Sequence, residues 1–301
     1  MKIPVIGTVF IDIKGHPLEK FIPNGRNAGR IEYVHGGVGR NIAEDLAALG
    51  EEAVFVSLVS PGGTGEDVIR HLRGAGVDTR FVRPAANGAG TWLAVYDESG
   101  DVYSSISVRA DLGPLEAVVR ENEEEIFADA DIVILEIDID ASAVERVFSC
   151  AEKYGKPVCC AVATMSHALD KTEYLKRSEL FICNQQEAGM LFEEDLSDVS
   201  PAELAKALPE KIRSLGLKNM IVTMSAAGSV YASADGSFGV CPAEKATPVD
   251  TTGAGDSFCA GAVAALAKGL PMAEACRVGA KISAAVVSSE KNVYTDAISC
   301  F

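Results

Sequence analysis

The chain has 301 residues, of which 48% are hydrophobic and 23% charged, and this balance is typical of a folded globular protein. Asp and Glu number 43 against 27 Lys and Arg, for a net charge of −16 at pH 7. This surplus argues against nucleic-acid or membrane partners, because phosphate-rich surfaces attract clustered cations. No apolar stretch approaches the roughly 18 residues of a membrane span, and no signal peptide is recognisable, so we expect a cytoplasmic protein. The eight cysteines form no CxxC pair, which predicts buried free thiols.

In the first half of the chain, strand and helix patterns alternate. The predicted strands cover residues 3–13, 30–34, 53–59 and 77–82, and a hairpin covers 91–96 and 102–108. The predicted helices begin at Arg40 and end near Gly50, and then cover residues 66–73 and 114–127.

The second half continues the alternation. Its predicted strands cover residues 132–135, 157–162, 180–183 and 220–224, with a hairpin over 229–233 and 238–241. Its predicted helices cover residues 141–154, 185–192, 200–215, 255–268 and 271–287. Such alternation indicates an α/β fold with a mainly parallel sheet covered on both faces. The half-polar strands do not suit that sheet, so we expect a small β lid built from about 13–35 and 88–110.

The run Asp250-Thr251-Thr252-Gly253-Ala254-Gly255-Asp256 leads directly into a predicted helix. The two glycines permit backbone torsions that turn several amides toward one point, and the helix adds its positive dipole end. The Asp256 carboxylate would lie in this anion hole, where it could accept a proton from a substrate hydroxyl. The run therefore favours phosphoryl transfer with Asp256 as the base, and the alternative is an ordinary acidic residue at a helix start.

A second glycine run, Gly36-Gly37-Val38-Gly39-Arg40-Asn41, precedes the helix that begins near residue 40. It superficially suggests a dinucleotide loop, but Ile42 stands where that motif has its third glycine, so a dehydrogenase is a weak alternative. The chain also contains no GxxxxGK[ST] motif, which excludes a Walker-type phosphate loop.

The two glycine runs resemble the C-terminal and N-terminal signatures of the ribokinase or PfkB family of carbohydrate and nucleoside kinases. The resemblance covers nearly the whole chain and implies a ribokinase-like three-layer αβα sandwich, with residues 1–301 as one kinase domain. It implies an ATP-dependent phosphotransferase that uses Mg²⁺ and acts on an alcohol group of a sugar or nucleoside. Relatives often bind K⁺ and pair into homodimers through the lid.

The resemblance also implies roles for individual residues. Asp256 would be the base, and the anion hole would be formed by Gly253, Ala254 and Gly255. Substrate would be bound by Asp12, Gly37 and Asn41. Asn184 and Glu187 form the NxxE motif that organises Mg²⁺ and the phosphates. The nucleotide would also contact Thr223, Ser225, Gly228 and Asn292, and Asp250 with Thr252 would belong to a K⁺ site.

Three departures from the family pattern concern the substrate. Phe10 stands where ribokinases commonly have Asn, Ser225 stands where Gly is usual, and residues 160–163 lack the Asp or Asn that often ends that strand. The runs 36–50 and 288–292 resemble the pseudouridine kinases within the family, which implies phosphorylation of the 5′-hydroxyl of pseudouridine. A ribokinase- or fructokinase-type sugar kinase remains open, as does a non-catalytic nucleotide- or sugar-binding protein.

Overall fold

Nine strands form one sheet in the computed structural model, which describes residues 1–295. In spatial order they are β13 (Phe238–Cys241), β12 (Ser229–Ser233), β11 (Asn219–Thr223), β10 (Leu180–Asn184), β9 (Val158–Ala161), β8 (Val133–Glu136), β1 (Lys2–Ile6), β4 (Glu52–Val59) and β5 (Asp78–Pro84). The strands from β5 to β11 pair in parallel, whereas β12 and β13 are antiparallel additions.

Helices cover both faces of this sheet. One face carries α1 (Val38–Ala48), α2 (Gly63–Gly74), α9 (Ala254–Ala267) and α10 (Met272–Val287). The other carries α3 (Leu115–Glu121), α4 (Glu123–Phe127), α5 (Ala141–Tyr154), α6 (Thr172–Leu175), α7 (Gln185–Phe192) and α8 (Pro201–Leu215).

Successive side chains of each strand point to opposite faces, so the sheet feeds two separate cores. In β4, Phe55 packs with the face that contains α1, whereas Val54 and Val56 pack with the opposite face. Both kinds of position are apolar because helices cover both sides of a parallel sheet. The expected three-layer αβα arrangement is therefore confirmed.

Four strands form a second sheet from the two segments in which we expected the lid, and we call it the lid sheet. Its order is β3 (Gly29–Gly36), β2 (Phe10–Pro17), β6 (Gly90–Tyr96) and β7 (Val102–Val108). The central pair, β2 and β6, is parallel, and both edge strands are antiparallel to their neighbours.

Two predicted elements are split in the structure. The strand expected over residues 3–13 is divided between the two sheets, because the chain passes close to its neighbours at Gly7. A Cβ atom there would lie 2.6 Å from the Glu136 carboxylate and 2.8 Å from the Cα atom of Gly39. Asp12 consequently lies within β2 of the lid sheet and not at the end of the first strand. The helix expected over 114–127 is interrupted at Asn122, whose side chain donates to the Val118 carbonyl instead.

Candidate active site

The expected anion hole lies at the start of α9. Gly253 precedes the helix with φ +80°, a left-handed conformation that suits glycine, and no side chain in the described part of the chain caps the helix. A Cβ atom on Gly253 would lie 1.9 Å from the carbonyl oxygen of Asn292. The turn can therefore be built only by glycine, and it leaves the first turn of a 14-residue helix open to an anion.

Asp256 lies in the first turn of α9, and its Oδ2 accepts a hydrogen bond of 2.6 Å from Asn41 Nδ2. Burial raises the pKa of Asp256 to about 6, while the Asn41 hydrogen bond and the charge of Arg40 oppose that rise. A carboxyl with this pKa is ionised at neutral pH and still binds a proton readily. Asp256 therefore has the protonation properties of a general base.

Asn41 reaches Asp256 because the second glycine run directs α1 toward α9. Gly37 has φ +101°, and a Cβ atom there would lie 2.5 Å from the Thr8 carbonyl oxygen. The turn between β3 and α1 thus closes tightly against the segment that follows β1. The structure brings together the two signatures, which lie more than 200 residues apart in the chain.

Asp12 lies beside the same turn, on the lid sheet. A Cβ atom on Gly36 would lie 2.9 Å from Asp12 Oδ2, so the missing side chain leaves room for the carboxylate. Burial raises the pKa of Asp12, and the nearby charges of Lys14 and Arg40 oppose the rise. The carboxylate therefore lies where the lid sheet meets the start of α1.

Asn184 and Glu187 lie at the end of β10 and form a reciprocal cap on α7. Asn184 Oδ1 accepts from the Glu187 N–H at 2.9 Å, and Glu187 Oε2 accepts from the Asn184 N–H at 2.7 Å. Burial is the largest cause of the raised pKa of Glu187, and the negative charges of Asp138 and Asp256 contribute. The Glu187 carboxylate thus shares an acidic region with the candidate base.

The expected nucleotide segment follows β11, next to Asn184. Thr223 is the register partner of Asn184, and its Oγ1 donates to the Cys183 carbonyl at 3.4 Å. Ser225 has φ +50°, so this position demands the left-handed conformation that the family's usual glycine adopts more readily. Gly228 has φ +97° and accepts from the Met224 N–H at 2.7 Å, which closes the loop. A cleft of about 910 Å³ runs along Asn184, Thr223 and Ser225.

The remaining predicted residues lie behind the anion hole. Asn292 Nδ2 donates to the His35 carbonyl at 2.9 Å and lies 3.4 Å from Asn41 Oδ1. Asp250 Oδ1 accepts from the Thr252 N–H at 2.8 Å, while the Asp250 N–H donates to the Val287 carbonyl at 3.4 Å. The segment before α9 is thereby attached to the end of α10.

Two buried acids near β8, Glu136 and Asp138, are not among the residues predicted for the site. Glu136 ends the strand and accepts from the Thr8 N–H at 2.7 Å and the Gly39 N–H at 3.1 Å. Burial and the charge of Asp138 raise the pKa of Glu136 to about 8. The available signal was the position of these acids directly after the buried run 132–135, at the strand end where parallel sheets bind ligands.

Asp138 lies next to residues 160–163, one of the departures noted in the sequence. Its carboxylate accepts from the backbone N–H groups of Ala163 at 2.9 Å and Thr164 at 3.1 Å, just after β9. An acid from the loop after β8 therefore holds the backbone segment that follows β9.

Three further observations concern the cysteines, direct metal ligation and membrane spans. The seven cysteines within residues 1–295 are buried free thiols, and Cys300 lies outside the described residues. No three His, Cys, Asp or Glu side chains of the described chain are grouped so as to hold a metal directly. Among the helices of residues 1–295, none is both long enough and apolar enough to cross a bilayer.

Comparison with known proteins identifies the family. The model of the pfkB family carbohydrate kinases matches residues 1–296. The chain belongs to this family. It is 33% identical over 293 residues to a guanosine-inosine kinase of Exiguobacterium acetylicum, covering 97% of this chain and 96% of the relative. It is 26% identical over 290 residues to a pseudouridine kinase of Escherichia coli, covering 95% and 90% of the two chains.

The fold comparison agrees with this assignment. A ribokinase of Arabidopsis thaliana, solved in complex with ribose and ATP, superposes with a TM-score of 0.80 at 23% identity and covers 96% of this chain and 93% of its own. The chain is thus a sugar or nucleoside kinase of the PfkB family with a ribokinase-like fold.

Proposed function

We propose that the chain transfers the γ-phosphoryl group of ATP to the 5′-hydroxyl of a nucleoside, with Asp256 as the base. The observation that carries this proposal is the Asp256–Asn41 pair at the open start of α9. The carboxylate accepts the hydroxyl proton as the oxygen attacks the phosphorus in line, and the bond to the ADP oxygen breaks. The helix amides around Gly253 and Gly255 stabilise the charge on the transferring group.

Asn184 and Glu187 would organise Mg²⁺ in this reaction. Their reciprocal cap uses one carboxylate oxygen of Glu187 and leaves an oxygen-rich, acidic surface beside the cleft. Such donors suit Mg²⁺, which keeps much of its water shell. When bound, Mg²⁺ neutralises charge on the phosphates. Asp250 and Thr252 remain our proposed K⁺ site, since a carboxylate there is already oriented by the backbone.

A nucleoside suits the lid sheet better than a free sugar does. Asp12 pairs in register with Trp92, and Phe10 pairs with Gly90, so Phe10, Asp12 and Trp92 share one face of the sheet. The Phe10 ring borders a small cavity of about 50 Å³ with Glu136 and Arg109. Aromatic side chains flanking a carboxylate provide a stacking surface for a base beside a hydrogen-bond acceptor for ribose hydroxyls.

Two nucleoside classes are the leading candidates. Guanosine and inosine are supported by the guanosine-inosine kinase that is 33% identical over nearly the whole chain. Pseudouridine is supported by the pseudouridine kinase that is 26% identical, and by the resemblance of the runs 36–50 and 288–292. We rank guanosine and inosine first on this difference. A sugar kinase is the remaining alternative.

The opposite face of the lid sheet supports a homodimer as the proposed assembly. Ile13 pairs with Tyr33 and with Leu93, and Leu93 pairs with Ile106, so one row of side chains crosses all four strands. Tyr33, Leu93 and Ile106 are 70%, 40% and 64% exposed. An apolar row of this kind on an open sheet is typical of an interaction surface. The proposal also retains one kinase unit over residues 1–301 and a cytoplasmic location.

The function is tested by measuring ADP release and phosphorylated product with Mg-ATP and guanosine, inosine, pseudouridine, adenosine, ribose and fructose. Turnover on guanosine and inosine above the others is the expected result. Turnover on pseudouridine alone would reverse our ranking, and turnover on a sugar alone would overturn the nucleoside assignment. ATP binding without turnover on any member of the panel would contradict the proposal as a whole.

A further inference from the structure

Arg40 is the largest charged side chain in the core, and the transfer mechanism above does not use it. The residue is 1% exposed and lies in the first turn of α1, directly before Asn41. Burying a guanidinium is costly unless each of its donors is satisfied. Nε of Arg40 has no hydrogen-bond partner among the described residues. A buried charge that is incompletely paired calls for an explanation beyond stability.

The partners of Arg40 show what its burial achieves. Nη1 donates to Glu44 Oε2 at 2.6 Å, and Nη2 donates to the His35 carbonyl at 2.5 Å. Nη2 also donates to Asn41 Oδ1. The guanidinium is thereby held between its own helix and the end of β3, with one edge against the amide of Asn41.

This contact determines how the Asn41 amide is oriented. An arginine is only a donor, so the Asn41 atom that faces Arg40 must be the oxygen. The NH₂ group then points the other way, toward Asp256 Oδ2 at 2.6 Å. Without Arg40 the amide could rotate by 180° and present its oxygen to the carboxylate, which would repel it. Asn292 Nδ2, at 3.4 Å from Asn41 Oδ1, gives weaker support to the same orientation.

We propose that Arg40 is a positioning residue for phosphoryl transfer, which holds the Asn41 amide as a donor to Asp256 and keeps that carboxylate ionised. The inference rests on the proposed role of Asp256 as the base. Arg40 touches neither the reacting atoms nor the open start of α9, and it acts through Asn41 and through its charge.

The groups that act on the Asp256 carboxylate come from three helices. Arg40 and Asn41 of α1 favour its ionised form. Three groups that can carry negative charge lie within electrostatic reach of it. They are the buried Asp45 of α1, Glu187 of α7 and the buried thiol of Cys259 on α9. Glu44 partly neutralises Arg40, and its other oxygen lies 2.9 Å from His71 Nε2. Arg40 is therefore the main cation that offsets these acids.

The test compares kcat as a function of pH in five variants with saturating Mg-ATP and nucleoside. They are Arg40→Met, Arg40→Lys, Asn41→Ala, the double variant Arg40→Met with Asn41→Ala, and Glu44→Gln. Arg40→Met should lower kcat roughly 10- to 100-fold and leave KM for ATP within about twofold, and Arg40→Lys should recover part of the loss. At low pH, kcat falls as Asp256 becomes protonated, and we call this part of the profile the acid limb. In Arg40→Met the acid limb should move to higher pH, because a positive charge near the base is lost. At pH values above the acid limb, where the charge of Arg40 no longer affects kcat, the double variant should lose little more than Asn41→Ala, since both changes remove one interaction.

Glu44→Gln should move the acid limb in the opposite direction. This variant keeps the Arg40 contact with Asn41 but removes the counter-charge, so the field of Arg40 on Asp256 becomes stronger. A purely structural role for Arg40 would make both variants less stable without shifting their pH profiles in opposite directions. Equal shifts, or multiplicative losses in the double variant, would overturn the proposal.

Asp256→Asn separates this inference from the function it rests on. If Asp256→Asn retains wild-type kcat, the assignment of the base fails and the role of Arg40 fails with it. If Asp256→Asn is inactive while Arg40→Met keeps wild-type kcat and pH profile, only the role of Arg40 is refuted. Should Arg40→Met not fold, the pH profile of Glu44→Gln decides, and an unshifted acid limb in that variant would refute the inference.

Discussion

The proposed transfer centre, which consists of Asp256, Asn41 and the first turn of α9, and the lid sheet are built in different ways. At the proposed transfer centre, residues 257–265 of α9 are buried and the helix packs against α1, so Asp256 meets Asn41 where two packed helices begin. In the lid sheet, every residue of β7 is exposed, and one face carries the exposed apolar side chains of Tyr33, Leu93 and Ile106. Close packing fixes the atoms at the transfer centre, whereas the lid sheet depends mainly on backbone pairing.

In the function we propose, this difference separates the reaction from the choice of substrate. A base and an anion hole require groups held to within fractions of an ångström, which a packed interior provides. A sheet with exposed faces can change its side chains with little effect on the fold, because few of them are packed. We therefore expect changes at the transfer centre to affect kcat, and changes on the lid sheet to affect KM or assembly.

The largest expected effect is the loss of the base. Asp256→Asn should lower kcat by about 10³-fold, within the range of general-base contributions, and leave ATP affinity nearly unchanged. Asp198→Asn, an exposed acid on a surface loop, is the matched control and should behave as wild type. Steady-state kinetics and nucleotide binding by calorimetry measure both quantities. An Asp256→Asn enzyme with most of its wild-type kcat would show that the transfer centre is elsewhere.

A smaller effect is expected from the glycine that opens α9. Gly253 and Gly269 have nearly the same left-handed backbone, with φ +80° and +79°, but only Gly253 has a neighbour within 4 Å of the Cβ position. Gly269→Ala should cost about 1 kcal/mol from backbone strain. Gly253→Ala should lower the free energy of unfolding by roughly a further 1–3 kcal/mol, because its methyl group meets a neighbouring carbonyl. It should also lower kcat about 10²-fold, because the first-turn amides are displaced. Thermal unfolding and steady-state kinetics of both variants separate the effect of backbone strain, which both share, from the effect of the close contact at Gly253. If the two variants had the same stability and the same kcat, a closely fitted anion hole would be contradicted.

On the lid sheet, removal of an aromatic side chain should weaken substrate binding and spare the chemistry. Trp92→Ala and Phe10→Ala should each raise KM for the nucleoside about tenfold, since an aromatic contact contributes roughly 1 kcal/mol beyond burial. The kcat value and KM for ATP should stay within about twofold. Phe21→Ala is the control, because Phe21 packs on Tyr103 away from Asp12. An unchanged KM for the nucleoside in both variants would show that this face of the lid sheet does not stack on the base.

The smallest expected effect on catalysis comes from the opposite face of the lid sheet. A variant with Tyr33→Asp and Ile106→Asp should sediment as a monomer while its kcat stays within about twofold of wild type. Phe238→Asp, which changes an exposed apolar residue at the far edge of the large sheet, should leave the assembly intact. Sedimentation at several concentrations measures the assembly. A wild-type chain that is monomeric throughout would exclude the proposed dimer.

Much of the fold could be predicted because its signals are local. The hairpin strands 91–96 and 102–108 and the helices 141–154 and 185–192 agree with the structure to within a residue, since short apolar periods and cap residues mark their ends. Gly7 interrupts the apolar run 3–13 in the sequence. The division of that run between two sheets could not be predicted, because it depends on the approach of Gly39 and Glu136, which are distant in the chain. The interruption at Asn122 rests on one side-chain hydrogen bond that competes with the helix.

The candidate site was predictable only in part for the same reason. Glycine runs and the NxxE spacing mark Asp256, Asn41 and Asn184 in the linear sequence. Glu136 and Arg40 owe their positions to burial and to partners on other elements, so their residue types did not distinguish them from surface charges. The substrate choice that we propose depends on which side chains share a face of the lid sheet, and the sequence alone does not give the register that decides this.

The most direct test is the pH dependence of the single-turnover rate of the wild-type protein, from pH 5 to 9, with saturating Mg-ATP and nucleoside. Because Asp256 must be ionised to accept the proton and its pKa is raised to about 6, the rate should fall about tenfold per pH unit below that value. Nucleotide phosphates also titrate in this range, so the residual rate of Asp256→Asn is the control and should lack this limb. A flat wild-type profile in folded protein, or the same limb in Asp256→Asn, would contradict the assignment of Asp256 as the base.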